Sequence, residues 1–133
     1  MFSKIDHIGI AVRNLDETAK IYREILGLEV GKVEESKKYK VRVVFIPIGD
    51  SNIELMETTD PEGPIGKFIT RKGEGIHHVA LRTKNIERIL QKMRKKRIHL
   101  IDEKPKRGIH KSRIAFLHPK SFGGVLLELY EKN

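Results

Sequence analysis

The chain has no cysteine and no tryptophan, and only 6% of its 133 residues are aromatic. Without cysteine there are no disulfides, no thiolate nucleophile and no zinc–thiolate site, and a cytoplasmic location is expected. No apolar run approaches the roughly 20 residues that cross a bilayer. The opening MFSKIDHIGI lacks a charged region followed by an apolar stretch, so no secretory leader and no membrane partner are expected. The few aromatics do not interleave with basic residues, and no helix-turn-helix pattern occurs. Nucleic acid is therefore not the expected partner, despite the charge.

That charge is the first thing present. Lysine and arginine number 27 against 18 acidic residues, a net charge of +9. Such an excess favours anionic partners, including small molecules that carry phosphates. The runs KMRKKR (92–97) and KPKR (104–107) read as solvated faces. The length predicts one compact domain over residues 1–133.

The second thing present is an internal repeat. Laying DHIGIAVRNLDETAKIYREILGLEV over HHVALRTKNIERILQKMRKKRIHL puts His7 on His78, Ile10 on Leu81 and Asn14 on Asn85. Each unit closes on a similar segment, NIELME at 52–57 and LLELYE at 126–131, so that Glu54 falls on Glu128. The His-to-Glu spacing is 47 residues in the first unit and 50 in the second.

Local patterns complete the outline. Residues 4–12 alternate as a strand does, and Asn14 is placed to cap a helix that Gly27 stops. Strands are expected at LEVGKVEE, KVRVVFIPIG and SNIELME. In the second unit Asn85 caps a helix, and strands are expected at HLIDEK, RIAFLH and GVLLELYE, with a turn at PKSFGG. The fold class is thus α+β, two βαβββ modules over 1–58 and 76–133. Residues 59–75 form the linker, with a short helix in IGKFITRK.

Strand alternation sorts the polar residues. Ile8, Ile10 and Val12 share the helix-covered face with Asp6, whereas His7, Gly9 and Ala11 face away. Ile53 and Leu55 go to the core, and Glu54 points to the opposite face. Val79 and Leu81 share a face with His77, leaving His78, Ala80 and Arg82 on the other. Leu127 and Leu129 oppose Glu128 and Tyr130. His7, Glu54, His78 and Glu128 are therefore expected in the hollow of curved sheets, with small residues beside them leaving room for a ligand.

Two imidazoles and two carboxylates make a hard donor set without sulfur, suited to a divalent cation. Two carboxylates brought together repel unless a cation lies between them. The expected ion is Co²⁺, Mn²⁺, Ni²⁺, Zn²⁺ or Mg²⁺. Four protein ligands in an octahedron leave two adjacent positions for a bidentate substrate.

The layout and these residues resemble the vicinal-oxygen-chelate (glyoxalase, VOC) superfamily and, within it, the methylmalonyl-CoA epimerases. The resemblance spans essentially the whole chain and is carried by DHIGIAV, IELME, GEGIHHVAL, IDEKP and above all FLHPKSFGGVLLEL. It implies curved sheets enclosing a metal held by His7, His78, Glu128 and Glu54, usually in a homodimer. It implies an isomerase acting on an acyl-CoA: a carboxylate removes the proton at the 2-methyl centre, and an acid returns one to the other face of a metal-chelated enolate. Glu128 and Glu54 are the expected acid and base. The lactoylglutathione lyases share this type of site, and a non-catalytic VOC binding protein is the alternative from another class. The FLHPKSFGG ending favours the epimerases, and the full ligand set argues against pure binding.

The chain departs from the family twice. Some members carry a further glutamate where this chain has Val43, which cannot act as a base. Relatives also tend to a glycine-rich turn where this chain has KRGIHKSR (106–113). Lys111 there, with Lys120 and Arg107, is expected near CoA phosphates, and Arg82 near a glutamate or a substrate carboxylate. His77 is expected in a hydrogen-bonded structural role, and His118 in a turn-stabilising hydrogen bond.

Overall fold

Asn14 and Asn85 each start a helix in the same way. The Asn14 side chain accepts the Glu17 amide at 3.0 Å, and the Asn85 side chain accepts the Arg88 amide at 3.1 Å. The computed structural model describes residues 1–132. Its elements run β1 (Phe2–Ala11), α1 (Leu15–Glu24), β2 (Glu34–Ser36), β3 (Val41–Ile48), β4 (Ser51–Thr58), α2 (Pro64–Lys72) and β5 (Gly75–Thr83). They continue with α3 (Ile86–Lys95), β6 (Lys106–Arg107), β7 (Ser112–Leu117), a 3-10 turn at Pro119–Ser121, and β8 (Leu127–Lys132). The α+β order βαβββ thus occurs twice, with α2 in the connection. Among the described residues no helix is long and apolar enough to cross a membrane.

The chain forms two compact units, His7–His77 and Met1–Asp6 together with the residues from His78 onward. In the first, β1 pairs with β4 in parallel, with Gly9 opposite Glu54, and β4 pairs antiparallel with β3, with Phe45 opposite Glu54. Gly49 takes a positive φ of 56° in the tight β3–β4 turn, a conformation that favours glycine. Leu15 and Ala19 of α1 pack on Val12, Val44, Ile46 and Leu55. Each fully buried Leu or Ile of that layer contributes about 1.5–3 kcal/mol relative to exposure.

The second unit repeats the scheme. β5 pairs in parallel with β8, placing Ala80 opposite Glu128, and β8 pairs antiparallel with β7, placing Phe116 opposite Glu128. Ile86, Ile89 and Leu90 of α3 cover Ala115, Leu117 and Leu129. The faces of β4 and β8 assigned to the core by alternation are those that pack under the helices.

Two strands fall short of the expectation. Over LEVGKVEE only Glu34–Ser36 pairs as a strand. Leu28 and Val30 instead pack against the α1 core, and the Gly31 amide makes a single bond to the Phe45 carbonyl at 3.0 Å. HLIDEK forms no strand beyond one bridge, Leu100 to Leu117. There the Asp102 carboxylate accepts the Phe116 amide at 2.8 Å, so a side chain takes the place of a ladder partner.

Candidate functional site

Each unit brings one histidine and one glutamate together. In the first, β1 supplies His7 and β4 supplies Glu54; His7 Nε2 lies 3.7 Å from Glu54 Oε1. In the second, β5 supplies His78 and β8 supplies Glu128; His78 Nε2 lies 3.6 Å from Glu128 Oε1. All four residues are 4–5% exposed. Burying a carboxylate beside an imidazole is unfavourable unless charge or hydrogen bonds compensate. A pair that presents a ring nitrogen and a carboxylate oxygen side by side is a donor set suited to a hard or borderline dication. Parallel pairing explains the juxtaposition: the small residues Gly9 and Ala80 stand opposite the glutamates and leave space on their face.

The antiparallel neighbour of each glutamate strand adds one more residue to the repeat. Phe45 and Phe116 stand directly opposite Glu54 and Glu128 in the antiparallel ladders. The Phe45 ring is perpendicular to His7, with centroids 6.5 Å apart. Phe116 is likewise nearly perpendicular to His78, at 5.9 Å. Both phenylalanines lie 38 residues after their histidine. That equality was the available signal, and it places the three-residue difference between the modules wholly in the β7–β8 turn.

The modules differ one step along. Arg82 Nε donates to Asp6 Oδ1 at 2.8 Å, and the guanidinium lies 5.6 Å from the Tyr130 ring centroid. Arg82 thus pairs with an aspartate and not with a glutamate. Asp6, expected under the helices with Ile8, is instead buried in this ion pair. Burial and the nearby Asp6 carboxylate push the Tyr130 phenol above its ordinary pKa, against a hydrogen bond with Ser112 and the Arg82 charge. The repeat positions in the first module carry Ala11 and Met56, which are opposite one another and buried.

Other candidates are placed as follows. Val43 is fully buried and opposite Met56, with no titratable group to offer. Lys111 and Lys120 are exposed, Lys111 in a left-handed conformation and Lys120 within the 3-10 turn. The His118 Nδ1 accepts the Lys120 amide at 3.0 Å, the turn bond expected of it. His77 packs edge-on to Phe68 of α2 at 5.0 Å, and burial and the Lys72 charge lower its pKa to about 4.

The profile of the Glyoxalase/Bleomycin resistance protein/Dioxygenase superfamily matches residues 6–116. The chain belongs to this superfamily. Among superfamily relatives, it is 35% identical to the mitochondrial methylmalonyl-CoA epimerase of Homo sapiens over 127 residues, covering 95% of this chain and 72% of that one. It is 33% identical over 131 residues to the ethylmalonyl-CoA/methylmalonyl-CoA epimerase of Cereibacter sphaeroides, covering 97% and 98%. Among solved superfamily structures, a Streptomyces coelicolor methylmalonyl-CoA epimerase variant in complex with 2-nitronate-propionyl-CoA superposes with a TM-score of 0.94 at 37% identity, covering 99% and 96%.

Proposed function

We propose that the protein is a metal-dependent isomerase that inverts the 2-methyl centre of methylmalonyl-CoA. The observation that carries this reading is the pair of buried His/Glu couples, His7–Glu54 and His78–Glu128, at equivalent positions of a repeat in a superfamily member whose relatives are named as epimerases. In this reading the four side chains are ligands to one divalent ion, Co²⁺ by preference. A dication held there would supply Lewis-acid stabilisation of the charge that develops when the acidic carbon loses its proton.

The chain's own residues do the rest. Glu128 and Glu54 are the acid–base pair, one removing the α-proton and the other returning a proton to the opposite face. Val43 takes no part. Arg82, anchored by Asp6, has further N–H donors that suit a substrate carboxylate. Lys111 and Lys120 are point charges for CoA phosphates. The chain acts as one domain of two modules, 1–58 and 76–133, joined by 59–75, as a cytoplasmic homodimer.

The test is proton exchange. The chelator-stripped protein, reloaded with Co²⁺, is incubated with methylmalonyl-CoA of one configuration in D₂O, and mass and chirality are read together. Metal-dependent deuterium uptake with loss of configuration, absent in Glu128→Ala, is the expected result. Turnover of the methylglyoxal–glutathione adduct without uptake would move the protein to the lyase reaction.

A further inference from the structure

The proposed ligands must be aimed as well as present. Metal–ligand distances tolerate about 0.2 Å. The outer torsion of histidine is broad and roughly two-fold, so a strand fixes the ring's position far better than its rotation. Something beside each imidazole has to set that rotation.

We propose that Phe45 and Phe116 are positioning residues that hold the His7–Glu54 and His78–Glu128 pairs in ligating geometry, an inference that rests on the metal-site reading. Each phenylalanine stands beside both members of its pair. It stands directly across the ladder from the glutamate, where Cβ atoms are about 4.5–5.5 Å apart. Its ring also meets the histidine ring at right angles, 90° in one module and 88° in the other. A perpendicular ring edge beside the imidazole restricts its turning about the outer torsion.

A plain core role does not account for these two side chains. Their strand neighbours Val44, Ile46, Ala115 and Leu117 are at most 2% exposed and build the layers under α1 and α3. Phe45 and Phe116 belong to neither layer and are only half-buried. They lie on the face of β3 and β7 turned away from the helices. The sequences around them differ, VVFIP against IAFLH, yet the 38-residue offset from the histidine is the same in both modules.

The test measures Co²⁺ binding to the chelator-stripped full chain by equilibrium dialysis, with the visible absorption of bound Co²⁺ recorded alongside. Phe45→Ala and Phe116→Ala should each weaken Co²⁺ binding about 10–100-fold, the range for residues that orient ligands, and alter the Co²⁺ spectrum. Phe→Tyr at either position, which keeps the ring, should restore both. Phe→Leu preserves apolar volume without the flat ring and serves where the alanine variant does not fold; it should show the same spectral change. Unchanged affinity and spectrum in folded Ala or Leu variants would overturn the inference while leaving the metal site standing. Absence of Co²⁺ binding by the unaltered protein would overturn the metal-site reading itself, and the inference with it.

Discussion

The Glu57 carboxylate accepts the backbone N–H of Leu15, the first residue of α1, at 2.7 Å. Its other oxygen takes Arg42 at 3.2 Å, and Arg42 reaches on to Asp16 in the first turn of the helix. The second module repeats every part. Glu131 accepts the Ile86 amide at 3.0 Å and Arg113 at 2.9 Å, and Arg113 bonds to Glu87. The Arg113 bond lowers the Glu87 pKa, and Glu87 in turn raises that of Arg113. Each glutamate sits three residues beyond the proposed ligand on the same strand, so this network ties the strand that carries the ligand to the start of its covering helix.

Removing either glutamate leaves a helix-end amide without its acceptor and takes one of two carboxylates from an arginine. Glu57→Ala and Glu131→Ala should each destabilise by about 1–3 kcal/mol. Asn85→Ala should cost about 1 kcal/mol through the lost cap. Urea denaturation of the three variants checks this, and equal stability with the unaltered chain would show the network to be inert.

Acid stability should depend on His77. Burial, and then the Lys72 charge, lower its pKa from 6.5 to about 4, so the fold prefers the neutral ring. Between those values the unfolded chain takes up the proton first. The contribution is therefore complete above pH 6.5 and is lost as the pH falls toward 4, up to about 3 kcal/mol. Urea midpoints measured at pH 7.5 and pH 4.5 should differ less in His77→Gln than in the unaltered protein.

Ligand loss should be visible without substrate. At Co²⁺ a hundredfold above its dissociation constant, binding to the folded state adds about 2.7 kcal/mol. The thermal midpoint of the stripped protein should rise accordingly on Co²⁺ addition. His7→Ala and His78→Ala should each abolish most of that rise, and a variant that keeps the full rise would remove its histidine from the ligand set.

The loop after β6 carries a local conflict. A Cβ at Gly108 would lie 2.4 Å from Ser112 Oγ and 2.8 Å from Ile114 Cγ2. Gly108→Ala should therefore destabilise by about 1–3 kcal/mol through overpacking. His110 and Lys111 hold φ values of 61° and 55°, where side chains are disfavoured. Lys111→Gly should stabilise by roughly 0.5–1 kcal/mol, because the strain removed outweighs the added freedom of the unfolded chain. Thermal melts of the two variants should move in opposite directions.

Sequence alone determined what depends on short-range pattern. The repeat, the two asparagine caps, the alternation that separates Glu54 from Leu55 and Glu128 from Leu129, and the His/Glu pairing all follow from residues a few positions apart or from one module laid on the other. Periodicity of two fixes the face of a side chain whatever the strand's neighbours are. Tertiary structure alone decided what depends on which strand lies beside which. The ladder register puts Phe45 and Phe116 opposite the glutamates, and the strand pairing gives Asp6 to Arg82. Asp102 and the helix-side packing of Leu28 and Val30 shortened two expected strands, since a segment's β-pattern cannot reveal whether its amides will find a backbone partner, a carboxylate or none. Those are relations between separate segments of the chain, 14 residues apart for Asp102 and Phe116 and 76 for Asp6 and Arg82, set by packing free energy and not by local preference.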